Sequence, residues 1–205
     1  MKETRIALTD LDRLVVREAD RIAVALRDTL PSVLVGVYLH GSAALGDWIP
    51  RRSDLDILAV SSRGLSDPEV QSLVTSLLAP PSPPDAPALE FSLVTLDAVR
   101  AQLPAPPFEL HLTNGIAAKV VDGRAHPGDP DLVLHFEVCR TRGLALVGPP
   151  PDEVFESSGR VGTSRCSKIE LVERFGAAHN DAPTSRVDLS RAPGLLPRRS
   201  RRRMR

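Results

Sequence analysis

The segment GSAALGDWIPRRSDLDIL (41–58) gathers residue types that handle phosphate. Gly41-Ser42 directly follows a β-branched run, VLVGVYL (33–39), and Asp54-Leu55-Asp56 opens the next apolar run, DLDILAV (54–60). Residues two apart on a strand point to the same side, so the spacing predicts that Asp54 and Asp56 present paired carboxylates on one face. Carboxylates that close repel each other unless a cation lies between them. Hard oxygen donors of this kind suit Mg²⁺, which keeps one or two carboxylates and completes its shell with substrate phosphates. The Gly41-Ser42 turn complements the metal, because glycine admits close backbone approach while N–H groups and a hydroxyl donate to phosphate oxygens. Ser53 adds a second hydroxyl beside the first aspartate. An isolated Asp-x-Asp reads as an exposed strand entrance, and an isolated Gly-Ser as a turn. Their combination, each after or on a strand and separated by a short spacer, points to nucleotide chemistry.

These residues need a scaffold, and the chain is long enough to build one. It has 205 residues and 22.2 kDa, with 42% hydrophobic, 25% charged and 3% aromatic residues, so one domain can bury a core made mostly of Leu, Val, Ile and Ala. Helical spacing of Leu11, Leu14, Val15, Ile22 and Leu26 predicts a helix from Thr9 to Leu30, capped by Thr9 or Asp10 and ended by Pro31. Val33–Leu39 and Asp54–Val60 read as buried strands, and Ser66-Asp67-Pro68 opens a helix to Leu78. After a Pro-rich loop (79–87), ALEFSLVTL (88–96) reads as a third strand, followed by a short helix capped by Asp97. FELHL (108–112) and IAAKVVDG (116–123) read as a weak strand pair, Asp129-Pro130 opens a helix to Val138, and GPPPDEVF (148–155) gives a break and a short helix. Glu90 and Ser92 share one side of the third strand, while Phe91 and Leu93 face the other.

The residues 41–58, with the glutamate strand, resemble the polymerase-β-like nucleotidyltransferase superfamily, whose signature is Gly-Ser, a spacer, Asp-x-Asp on the following strand and a third carboxylate on a later one. YLHGSAALGDWIPRRSDLDIL, ALEFSLVTL and DPDLVLHFEVCRTRGLALVGPPPDEVF are similar, from residue 5 to residue 157, to the aminoglycoside adenylyltransferases that modify streptomycin and spectinomycin at their 3″ and 9 hydroxyls. The resemblance implies an α/β (α+β) fold, a short mixed sheet flanked by helices. It implies transfer of AMP from ATP to an aminoglycoside hydroxyl. Asp54 and Asp56 would be metal ligands for Mg²⁺, Glu90 the catalytic base, and Gly41, Ser42 and Ser53 nucleotide contacts. Rival readings are a minimal nucleotidyltransferase acting on a protein partner, as in an antitoxin family with the same signature, and an inactive nucleotide-binding remnant.

Two departures from the family stand out. A basic residue expected shortly before the Asp-x-Asp strand is replaced by Trp48-Ile49-Pro50, with Arg51 and Arg52 displaced. The family's all-helical second domain also has no counterpart after Gly159. Residues 159–205 carry twelve Lys and Arg against four Asp and Glu, which leaves residues 1–158 acidic and the whole chain neutral. The expected organisation is a nucleotidyltransferase domain at 1–158 and a basic, unstructured tail at 159–205. A shifted reading frame or divergent end near residue 159 is the expected cause.

Several functions are excluded at this level. No apolar run reaches the roughly 18 to 20 residues that span a bilayer, and no signal-peptide pattern opens the chain, so the cytoplasm is expected. Cys139 and Cys166 cannot supply a four-ligand zinc site or a disulfide framework. The acidic body disfavours a nucleic-acid-extending polymerase, and the Arg-rich end reads as a solvated tail. His40 reads as a hydrogen-bonded neighbour of the turn, His135 and Cys139 as packing residues, and Trp48 as either a loop anchor or a stacking platform.

Overall fold

The computed structural model describes residues 7–79, 86–115 and 117–156. The expected basic tail at 159–205 lies outside the described residues. Six strands form one mixed sheet: β1 (Leu34–Leu39), β2 (Leu55–Ser61), β3 (Leu89–Thr95), β4 (Leu110–Thr113), β5 (Lys119–Asp122) and β6 (Leu144–Val147). Their spatial order is β5-β4-β3-β2-β1-β6. Every neighbouring pair is antiparallel except β2 and β3, which run parallel. A parallel pair needs a crossover, and α3 (Asp67–Leu78) supplies it.

The continuous apolar runs of the first three strands reflect burial on both faces. On one face Val37, Leu39, Ile57, Ala59, Phe91 and Leu93 meet Val15, Ile22 and Leu26 of α1 (Arg13–Thr29) and Leu73 and Leu77 of α3. On the other, Tyr38, Leu58, Val60 and Val94 meet Leu132 and Cys139 of α5 (Asp131–Arg142), with Val154 of α6 (Pro151–Val154) and Phe155 beside it. Alternate residues of β2 thus serve different helical layers, so a one-residue slip would exchange two complete packing sets. Ser66 and Glu69 form a reciprocal capping box at the start of α3, where Pro68 also sits in the first turn.

Several boundaries differ from the sequence reading. Asp12 rather than Thr9 or Asp10 caps α1, its carboxylate accepting from Leu14 N–H, because a separate 3₁₀ turn occupies Leu8–Asp10. Thr95 rather than Asp97 caps the short α4 (Leu96–Arg100), its hydroxyl accepting from Ala98 N–H. Asp97 instead lies inside the first turn, where its charge favours the positive end of the helix. Residues 144–147, which the sequence reading assigns to no element, form strand β6 against the outer edge of β1. Asp54 precedes β2 instead of lying within it.

Candidate active site

The residues singled out by their chemistry meet at one end of the sheet. His40 follows β1 and leads into α2 (Gly41–Leu45), a single helical turn carrying Gly41 and Ser42. The turn is stitched to β2 twice: His40 N–H donates to the Asp56 carbonyl at 3.0 Å, and Ser42 N–H donates to the Asp56 carboxylate. Gly41 has φ +61, in the left-handed region that favours glycine, and a Cβ there would lie 1.8 Å from Asp56 Oδ2. Glycine at 41 therefore serves both the turn and the seating of the aspartate.

Asp56 stands directly opposite Glu90 in the parallel pairing of β2 and β3, so their side chains share a face. Asp56 is only 7% exposed. Burial, then the charges of Glu90 and Asp54, push its carboxyl well above the usual carboxylate range; Ser42 N–H pulls the other way. Three acidic groups thus interact electrostatically where little water screens them. Asp54 contributes from the segment before β2 and Glu90, half-buried, from the strand beside it.

This donor set fits a divalent cation in part. All the oxygens are hard, and a positive charge would relieve the repulsion that raises Asp56. Among the described residues, no group of three or more His, Cys, Asp or Glu side chains is placed to hold a metal ion. A bound Mg²⁺ would therefore need oxygens from substrate or water, in keeping with that ion's reluctance to enter all-protein cages.

The loop between α2 and β2 is tightly built. Gly46, at φ +80, ends α2, and Ser53 N–H donates to the Ile49 carbonyl at 2.9 Å. Ser53 Oγ accepts from Ile49 N–H at 3.0 Å, so the hydroxyl expected to contact phosphate also closes this loop. Its O–H proton is not used in that bond. Trp48 packs against the core, the anchoring alternative of the two read from sequence. Arg51 and Arg52 are exposed on the loop just before Asp54.

Two histidines adjoin the turn. His40 and His135 are buried with ring centroids 5.0 Å apart, and His135 and Cys139 face inward from α5, as packing residues do. Burial, with His135 beside it, lowers His40 well below its usual value. His135 is lowered to about 4, chiefly by burial, with Asp129 opposing and His111 reinforcing the shift. The fold thus favours neutral His135. That contribution is fully present above the unfolded value near 6.5 and is lost as pH falls toward 4. The shift corresponds to about 3 kcal/mol. His135→Gln, which cannot gain this proton, should show a shallower fall in urea midpoint between pH 6.5 and 4 than the unaltered protein. Parallel profiles would refute the assignment.

The sequence reading missed the partners of Ser92. Its hydroxyl lies 2.8 Å from His111 Nδ1 across β3 and β4, and His111 Nε2 lies 3.2 Å from Asp129 Oδ2. Ser92 was placed beside Glu90 by strand alternation alone. His111 stands opposite Ser92 only through the β3–β4 register, which no local pattern reveals.

Comparisons with known proteins bear on the fold. Residues 19–97 match the family model described as the nucleotidyltransferase domain, a stretch containing Gly41, Ser42, Ser53, Asp54, Asp56 and Glu90. No curated protein sequence matches the chain. Among solved structures, the spectinomycin adenyltransferase AAD(9) from Enterococcus faecialis, crystallised with ATP and spectinomycin, is similar in fold, with a TM-score of 0.53 and 17% identity. The match covers 68% of this chain and 59% of that protein. At this identity the likeness is one of fold.

Proposed function

We propose that this nucleotidyltransferase moves AMP from ATP to a hydroxyl of an aminoglycoside antibiotic of the streptomycin or spectinomycin kind, with Mg²⁺ required. The observation that carries the reading is the meeting of Asp56 and Glu90 in register on parallel strands, with Asp54 beside them and the Gly41-Ser42 turn bonded to Asp56. The fold likeness to an adenyltransferase solved with ATP and spectinomycin supports the choice of donor and acceptor.

Asp54 and Asp56 would hold the metal, which when bound supplies charge neutralisation on the phosphates of ATP. Gly41 lets the turn approach the triphosphate, and the Ser42 and Ser53 hydroxyls donate to its oxygens. Glu90 takes the proton from the acceptor hydroxyl. The acceptor oxygen then bonds to the α-phosphorus, the bond from that phosphorus to the bridging oxygen breaks, and pyrophosphate leaves. The protein's part is placement and proton removal. Residues 1–158 make up the catalytic domain in this reading, with 159–205 a basic tail.

The full chain incubated with labelled ATP, Mg²⁺ and a panel of aminoglycosides should yield adenylylated antibiotic. Glu90→Gln should lower that yield by about 10²- to 10⁴-fold, the usual worth of a general base, while ATP still binds. Undiminished transfer by Glu90→Gln would sink the base assignment. A second reading is a nucleotide-binding domain that holds ATP without turnover; the chain spans 59% of its structural neighbour's length. ATP binding with no product from any acceptor would favour it. Among the described residues no helix is long and apolar enough to cross a membrane.

A further inference from the structure

We propose that Ser92, His111 and Asp129 form a linked polar chain that positions the acceptor beside Glu90. The assignment rests on the transfer reaction above. The direction of approach follows from strand order: the Gly41-Ser42 turn follows β1, Asp56 lies on β2, Glu90 on β3, and His111 and Thr113 on β4. A nucleotide held at the turn and Asp56 therefore lies on the β1 side of Glu90. The acceptor hydroxyl must come to Glu90 from the β4 side, over Thr113, which pairs with Glu90, and His111, which pairs with Ser92.

Ser92 is two residues beyond Glu90 on the same face and only 4% exposed, so its hydroxyl lies beneath that approach rather than in it. His111 is held from three sides. Ser92 Oγ meets its Nδ1 at 2.8 Å, the Phe108 ring lies against it with centroids 3.7 Å apart, and Asp129 Oδ2 lies 3.2 Å from its Nε2. The last contact is off the line of a good hydrogen bond, and with a neutral ring it acts through the pull of the carboxylate on the Nε2 proton. A carboxylate facing Nε2 favours the proton on that nitrogen, which leaves Nδ1 to accept from the Ser92 hydroxyl.

Asp129 is fixed in turn. Its Oδ1 accepts from Asp131 N–H at 2.9 Å at the start of α5, and its own N–H donates to the Pro106 carbonyl at 3.0 Å. The chain thus ties the start of α5 to β4 and to the strand carrying Glu90. Both His111 and Asp129 keep about a quarter of their side chains open, at 22% and 27%, so they form a partly exposed polar wall with one carboxylate on the acceptor's path. Ser92 acts through His111 and is a positioning residue. Asp129 presents a fixed negative charge suited to an amine-bearing acceptor.

The test uses the full chain with spectinomycin and streptomycin as acceptors, measuring KM for ATP and kcat/KM for each acceptor separately. Asp129→Asn, partly exposed and nearly isosteric, is expected to keep the fold. It should lower acceptor kcat/KM by about 10- to 100-fold, the scale of a small misplacement of a reacting group, and leave KM for ATP within about twofold. Ser92→Ala should act in the same direction and Ser92→Thr, which restores the hydroxyl, should recover most of the loss. The double variant Ser92→Ala with Asp129→Asn should be little worse than Asp129→Asn alone, because one chain cannot be broken twice. A silent Asp129→Asn, or equal losses for ATP and acceptor, overturns the assignment while the transfer reaction stands. No transfer by the unaltered protein overturns the transfer reaction itself and this assignment with it.

Discussion

Asp56→Asn is expected to lower nucleotidyl transfer by about 10³-fold or more, since it removes charge where the reacting phosphate must be stabilised in a site shielded from water. The fold should survive. Asp56 is buried, and its carboxyl is pushed well above the usual range by burial, Glu90 and Asp54. A group whose value is raised by folding contributes stability at low pH and loses it as pH rises through the folded value. Without a divalent cation the unaltered protein should therefore weaken toward alkaline pH, whereas the variant, with a neutral amide in place of the carboxyl, should show less of that slope. Added Mg²⁺ should raise the urea midpoint of the unaltered protein at about pH 8 and have little effect on the variant. Transfer near the unaltered level in Asp56→Asn, or an equal response of both proteins to Mg²⁺, would reject the role of this aspartate.

Gly41→Ala should be nearly as damaging although it removes no functional group. At φ +61 any other residue is strained, by about 1 to 2 kcal/mol for an ordinary L-residue. The new Cβ would meet Asp56 Oδ2 at 1.8 Å, Cγ at 2.4 Å and Cβ at 2.8 Å, so either the carboxylate turns away or α2 lifts off β2. Both outcomes misplace the phosphate turn relative to the acid. Transfer should fall by about 10²-fold, and the melting temperature should drop as well. Gly64→Ala is the matched control, because its Cβ would meet only Glu109, with Oε2 nearest at 3.4 Å, at ordinary contact distance from a flexible side-chain end. Equal activity in the two variants would show that the turn tolerates displacement.

What the sequence could disclose was set by how local each signal is. The first three strands were readable because burial on both faces leaves an unbroken apolar run, and α1 and α3 because one stripe is apolar at helical spacing. Strand alternation told which side Asp56 and Glu90 face, but that their strands lie side by side was implied by the family resemblance, not by any local signal. Residues 144–147 were not readable as a strand: four residues between Gly143 and Gly148 look like a turn, and only contact with β1, more than a hundred positions earlier, makes them extended. Asp54 fell outside β2 because strand limits depend on where the neighbour's hydrogen bonds begin; Leu55 N–H, not Asp54, meets the Ala88 carbonyl. The link from Ser92 through His111 to Asp129 joins three separate parts of the chain. His111 shares no ligand-like spacing with His126, so nothing local marks it.

Placement of β6 on the outer edge of β1 has a consequence for biosynthesis. A nascent chain leaving the ribosome delivers β1, then the two acid-bearing strands, long before the segment that covers β1 on its free side. Until Val147 pairs with Val37 and Tyr38 O–H reaches the Pro149 carbonyl, that edge offers unpaired main-chain groups to any other extended polypeptide. Release of an unfinished product short of these residues should therefore favour clumping over a separate partial fold, and the end of the sheet that holds Asp56 and Glu90 becomes secure only when the last strand is seated.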